Sequence, residues 1–545
     1  MSSRLSLRLL VCTFLVGPCS SALLRAAPLD LTTATIPELQ GAFASGSLTA
    51  EKLTAAYLAR IAAYDKTGPS LNTVITLNSA ALAQAKSLDA ERKAGKVRGP
   101  LHGIPIVLKD NFDTFDLPTS AGSQLLAGSI PPDDAYVVKK LRDAGVIILA
   151  KVNLSEFAGA GNARNASPEL AKASAVPQGF SSLGLQTLNP HDLTRNPAGS
   201  SGGTGSSIAA AFAQFGLGTD TGGSIRNPSS ANGIVGLKPT HGLLSRDGIV
   251  PYALSFDTGG PMARNVTDLA IALGVMTGVD AADAATKKSE GKFLTDYTPF
   301  LKKGSLKGVR LGVARDFTGK DAGTDQVFEA ALATLKQLGA EIVDPVLYPA
   351  YLLQSKQALY SVVSTSEFRA QITDYLKTAK PGFPKSIQDL ATRANDPKTG
   401  YRSPEKAVGL KYTAESVPPI DDPVYLAAKN EGLASVRALV LAVMAKDKLD
   451  AIIYPTVPRP AGPIGASSTL TPTDSATNIA NLTGFPDLIV PAGITKSGLP
   501  VTVSFFGRPF SEAKLIGYAY DFEQATHARV LPKHTPKLPT DTVTQ

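Results

Sequence analysis

Apolar runs of strand length, alternating with helical patterns, constrain this chain more than any other feature. IPIVL (104–108) and VIILA (146–150) are continuous apolar stretches without a polar face, and VRLGVA (309–314), DAIIYP (450–455), DLIVPAG (487–493) and VTVSFF (501–506) repeat the theme. Strands apolar on both faces must be covered on both, which requires helices packed against each side of a sheet. Helical patterns do intervene: DAYVVKKLRDAG before VIILA, a stretch from about 325 to 338, and Ser511 to about Thr526. Near the start, Thr35-Ile-Pro-Glu38 reads as a capping box opening a helix that stops at Gly46. A second helix follows Thr49, with Leu53, Tyr57 and Ile61 on one face. The pattern predicts an α/β protein, a single large domain over 28–545 with a mixed β-sheet core covered by helices. No repeat or linker divides it, and 379–424, rich in Pro, Asp and Lys, reads as a surface excursion.

Arg4 and Arg8 precede the apolar run LLVCTFLVG (9–17) and small residues up to Ala27. That arrangement predicts a secretory signal peptide over 1–27 and export to the periplasm or medium. The run is too short to span a bilayer, so no stable membrane span is expected. Both cysteines, Cys12 and Cys19, fall inside this segment, so a mature chain would have no thiol nucleophile, Cys-bound zinc or disulfide. The net charge of +8 suggests nucleic acid, yet the basic residues cluster no further than pairs such as Lys139-Lys140 and Lys302-Lys303. A solvated basic surface is the expectation, with no nucleic-acid partner.

NPAGSSGGTGSSIAAAF (196–212) poses the functional question. As a linker it should stay polar, but IAAAFAQF (208–215) follows and reads as a buried helix. A Walker A loop would need a lysine that Gly199–Ser206 lacks. G-S-S-G-G fits an esterase elbow with Ser201 at its centre, but no apolar strand runs into it. With histidine only at 102, 191, 241, 527 and 534, a lysine is the alternative base. It must be neutral, a downward shift of about 3 pKa units for action near pH 7. Lys109, at the end of IPIVL, is the candidate; alone it would read as a lysine snorkelling at a strand end. In GLGTDTGGSIRNPSS (216–230), Gly222 and Gly223 precede Ser224 and allow a turn whose N–H groups converge on an oxyanion.

Taken in order, G-I-P-I-x-x-K-D, G-S-S-G-G and G-T-D-x-G-G-S-I-R resemble the signature of the amidase signature family, and GLKPTHGLLSRDGIVP and IANLTGFPDLIVPAG look like its blocks too. The resemblance covers about residues 30–530 and is strongest to exported peptide amidases. It implies that Ser224 is the nucleophile, Lys109 the base, and Ser200 a bridging serine held by a cis peptide. Thr221, Gly222, Gly223 and Ser224 would supply the oxyanion hole; Ser201 would hydrogen-bond near Lys109 without attacking. Asp220 and Arg226 would brace the nucleophile loop.

The implied reaction is hydrolysis of a carbon–nitrogen amide bond through an acyl-enzyme, on a small-molecule or peptide amide, without metal or cofactor, in a monomer or homodimer. Carbamate or ester hydrolysis is the alternative within the family. Further readings are an exported solute-binding protein and a transfer-RNA amidotransferase subunit. Leu185, where many members carry a second glycine, and residues 160–178 depart from the family pattern in regions expected to shape the pocket.

Overall fold

The computed structural model describes residues 28–163, 166–466 and 471–544. The predicted signal peptide, with both cysteines, lies outside the described residues.

Eleven strands form one mixed sheet: β1 (Val74–Leu77), β2 (Pro105–Lys109), β3 (Ile147–Val152), β4 (Phe215–Asp220), β5 (Val235–Lys238), β6 (Thr258–Ala263), β7 (Arg310–Ala314), β8 (Glu341–Val346), β9 (Ala451–Pro455), β10 (Asp487–Ile494) and β11 (Pro500–Gly507). Their spatial order is β8-β7-β9-β11-β10-β5-β6-β4-β2-β3-β1. β8, β7 and β9 run parallel, as do β4, β2 and β3. Between these blocks the strands from β9 to β4 pair antiparallel. The single α/β domain expected from the apolar runs is what forms.

The apolar runs occupy the sheet interior because helices cover both faces. Every residue of β2, β3, β4 and β9 is buried. β8 shows the opposite pattern at the sheet edge: it is largely exposed and carries Pro345, which has no N–H to offer a foreign strand. The capping box at Thr35 forms, and its helix Ile36–Ser45 ends on Gly46 in the left-handed region. On the following helix, Ala50–Tyr64, Leu53, Tyr57 and Ile61 are buried as their spacing requires. Burying each such side chain contributes about 1.5–3 kcal/mol.

Two expectations fail here. The helix assigned to 208–215 is displaced: the glycine-serine stretch itself is helical, Gly202–Ala209. Ala211 then turns through a positive φ of 55° and the chain enters β4 at Phe215. Glycine is required rather than merely tolerated in this helix, since a Cβ on Gly203 would lie 2.3 Å from the Asn153 carbonyl oxygen. Residues 379–424 are not a loose excursion. Helices Ile387–Asn395 and Pro404–Ser416 pack on the long helix Ala350–Leu376. Leu390, Leu410, Phe368 and Phe157 form a separate apolar cluster there.

Candidate active site

Lys109 is the last residue of β2, flanked by β4 and β3, and its side chain is fully buried. Its Nζ donates to Ser200 Oγ at 2.7 Å and to Thr219 Oγ1 at 2.7 Å. Asn111 Nδ2 also donates to Thr219 Oγ1, at 3.1 Å. Burial, opposed only in part by the charges of Asp220 and Asp257, pulls the Lys109 pKa down to about 7. A lysine shifted this far is partly neutral at neutral pH, with a lone pair able to accept a proton.

Ser200 follows a cis peptide from Gly199, the bond that the family resemblance implied. Its carbonyl oxygen accepts from the Ser155 N–H at 2.9 Å. The neighbouring Ser201 is wholly buried, whereas Ser224 keeps 8% of its surface accessible. Ser201 Oγ donates to the Thr219 carbonyl oxygen and accepts from the Thr219 N–H, both at 3.3 Å. It reaches Lys109 only by way of Thr219. The Ser201 N–H donates to the Ser224 carbonyl oxygen at 3.1 Å, which ties the serine pair to the loop that carries Ser224.

That loop is wound around one carboxylate. Asp220, at the end of β4, accepts from the N–H groups of Gly223 at 2.8 Å, Ile225 at 3.0 Å and Arg226 at 3.4 Å. Arg226 Nε returns to Asp220 at 3.1 Å, and its other nitrogens reach Asn481 at 2.6 Å and Asp487 at 3.3 Å. Burial alone would raise the Asp220 pKa; the buried Arg226 beside it and the Asn481 amide outweigh burial and hold the carboxyl well below its usual range. Both residues are bonded into this loop.

The proposed oxyanion donors are narrowed by this arrangement. The Gly223 N–H is committed to Asp220, which removes it from the candidate donors and leaves Thr221, Gly222 and Ser224 as the remaining candidates. Gly223 is needed for another reason: its φ is +99°, and a Cβ there would stand 2.4 Å from Thr477 Cγ2. A Cβ on Gly222 would stand 2.5 Å from the hydroxyl of Tyr360, whose ring stacks on Phe256 at 5.2 Å. Thr221 Oγ1 donates to Asp257 at 2.5 Å, fixing the start of the turn.

No histidine takes part in this constellation: the ring nitrogens of His102, His191 and His241 lie against backbone carbonyls of Leu88, Asn232 and Leu254. Thr219, Asn111 and Tyr360 escape the sequence reading. Thr219 and Asn111 stand inside the G-T-D and K-D-N segments, where alternation along a strand could have placed Thr219 beside the lysine. Nothing in the sequence places Tyr360, which arrives from a distant helix. Leu185, the departure from the family pattern, is exposed at a φ of 59° in a short hairpin, a conformation a glycine would adopt without strain.

A family model described as Amidase matches residues 52–516. The chain belongs to the amidase family. It is similar to a glutamyl-tRNA(Gln) amidotransferase subunit from Methanosarcina barkeri, at 37% identity over 88% of this chain and 94% of that protein. The same subunit from Thermoanaerobacter pseudethanolicus is 35% identical over 93% of this chain and 99% of that one. Among solved structures, the native peptide amidase from Stenotrophomonas maltophilia superposes with a TM-score of 0.81 at 38% identity, covering 92% of this chain and 99% of that one. Membership in the amidase family makes this chain a serine-based enzyme of carbon–nitrogen bonds. No helix among the described residues is long and apolar enough to cross a membrane.

Proposed function

We propose that this amidase-family chain hydrolyses a linear amide through an acyl-enzyme on Ser224, with Lys109 as base and Ser200 as proton relay. The observation that carries the reading is the 2.7 Å contact between Lys109 Nζ and Ser200 Oγ at a buried lysine whose pKa is about 7. Neutral Lys109 accepts the Ser200 proton, and Ser200 accepts the proton of Ser224 as Ser224 Oγ attacks the carbonyl carbon. The carbonyl electron pair moves onto oxygen, held by the N–H groups of Thr221, Gly222 and Ser224. Collapse breaks the carbon–nitrogen bond while the relayed proton returns to the leaving nitrogen. Water, deprotonated along the same relay, then cleaves the Ser224 ester.

A peptide C-terminal amide, or a small acyl or aryl amide, is the proposed substrate class. The likeness to the solved peptide amidase supports it. The basic, apolar start of the chain supports export, and the reading takes the catalytic domain to work as a monomer or homodimer without partner subunits. Carbamates and esters are alternative substrates, since the same acyl-enzyme serves them. The second reading, a subunit of a transfer-RNA amidotransferase, is favoured by the curated relatives.

The deciding experiment incubates the purified chain alone with peptide amides, acyl p-nitroanilides and glutamine, and follows ammonia and p-nitroaniline. Ammonia from peptide amides is the expected result. Turnover of glutamine alone, and only when the other amidotransferase components are added, would replace this proposal with the second reading.

A further inference from the structure

A cavity of about 720 Å³ is lined by none of Lys109, Ser200 or Ser224, although Asn481 on its wall bonds Arg226. Four cations face it: Arg246, Lys288, Lys429 and Arg437. Two of them are matched. Lys429 donates to Glu367 at 2.9 Å, and Arg246 Nε donates to Asp283 at 2.7 Å. Glu367 has no capacity for the others, because it also accepts from the Ser255 N–H and hydroxyl and from the Tyr425 hydroxyl. Lys288 and Arg437 form no ion pair or hydrogen bond among the described residues.

These two charges are close enough to feel one another. Partial burial, followed by the charges of Arg437 and Arg246, pushes the Lys288 pKa down, with only Asp283 opposing. His241, on the cavity wall, brings no negative charge; its pKa is pulled down to about 3 by burial and by Arg246. Unmatched like charges gathered in one recess repel each other, and a bound anion would relieve that repulsion. Two unpaired positive charges on one cavity wall suit a ligand with both negative charges on one group, which a phosphate has and a carboxylate lacks. The guanidinium fork of Arg437 suits phosphate oxygens, and Phe485 and Phe510 on the wall offer apolar surface for an organic body.

We propose that this cavity is a second ligand site, separate from the catalytic serine, that binds a phosphate monoester through Lys288 and Arg437. Titration calorimetry of the full chain with phenyl phosphate tests it, with inorganic phosphate as competitor and succinate as the dicarboxylate control. The expected result is one phenyl phosphate per chain, displaced by inorganic phosphate and not by succinate. Lys288→Gln combined with Arg437→Gln should weaken binding at least about tenfold. Both residues are exposed, so the double variant should keep its fold and its amidase turnover. Ser224→Ala should bind as tightly as the parent chain. The proposal is overturned by absence of binding, by an unchanged dissociation constant in the double variant, by equal affinity for succinate, or by loss of binding in Ser224→Ala.

Discussion

Lys109 Nζ stands 2.7 Å from Ser200 Oγ although 91 residues of chain separate them. The same nitrogen lies 2.7 Å from Thr219 Oγ1, which also accepts from Asn111. A neutral amine has two N–H donors and one lone pair. With one N–H directed to Thr219, the lone pair is free to face Ser200. In the proposed mechanism, anchoring of the lysine and proton transfer then fall to different contacts.

The serines are expected to differ sharply on substitution. Ser224→Ala should abolish turnover and labelling by a fluorophosphonate, since the nucleophile is gone. Ser200→Ala should lower kcat by about 10²–10⁴, the usual worth of a positioned proton-transfer group. Ser201→Ala removes two weak bonds to the Thr219 backbone and should retain part of the activity. Labelling stoichiometry by intact-mass spectrometry reads all three. A labelled Ser224→Ala protein would remove Ser224 from the mechanism.

Activity should rise with pH through about 7. Lys109 works only when deprotonated, and its pKa lies at about 7 rather than 10.5. The kcat/KM profile should therefore show a single ionisation on its acid limb, with slope one below the inflection. A profile flat from pH 5 to 8 would show that Lys109 does not carry the limiting proton.

Thr219→Val tests the anchor. The change keeps shape and removes the oxygen that accepts from Lys109. Losing that hydrogen bond disfavours the ammonium form, so the acid limb should move to lower pH, by about one pH unit. The kcat should fall while KM changes little, because Thr219 touches the lysine and not the substrate. A purely structural role would lower the amount of folded enzyme and leave the inflection in place.

How much of this was legible beforehand follows from the physics of each element. The strands of the sheet core were legible because their burial on both faces writes a continuous apolar run, as in IPIVL. Lys109 was legible only together with the serine motifs, since a lysine ending such a run reads alone as one snorkelling at a strand end. The helix Gly202–Ala209 was not, since helix propensity argues against its glycines, and close packing on Asn153 overrides propensity there. The commitment of the Gly223 N–H to Asp220 was equally hidden, because it depends on how tightly the loop winds about the carboxylate. Tyr360 illustrates the general limit: contacts made across more than a hundred residues leave no local pattern.

Asp220→Asn should destabilise the fold and silence the site together. Arg226 is buried and would keep only Asp487 as a charged partner. Removing one member of a buried pair costs about 3–5 kcal/mol. The new amide would also set an N–H₂ against donors at Gly223 or Ile225. Urea unfolding should show the loss, and fluorophosphonate labelling should fall even where the variant remains folded. Retained labelling at full rate would mean that the loop holds its shape without the carboxylate.

Lys109→Met should inactivate the enzyme and change how its stability depends on pH. Holding the Lys109 pKa at about 7 instead of 10.5 costs the fold about 5 kcal/mol at neutral pH. Methionine removes that penalty but leaves the hydroxyls of Ser200 and Thr219 without the amine, at about 1–3 kcal/mol each. The two effects are of similar size, so the diagnostic is how the difference changes with pH. Between about pH 7 and 10.5 the unfolded parent chain holds a proton that the folded chain has released, so parent stability rises with pH across that window. The methionine variant lacks this slope. Its stability relative to the parent should be greatest at or below pH 7 and fall steadily toward pH 10. Unfolding free energies of the two proteins at pH 6.5 and 9.5 measure the change directly. A difference independent of pH would mean that Lys109 keeps an ordinary pKa when buried, and the base in this site would then have to be another group.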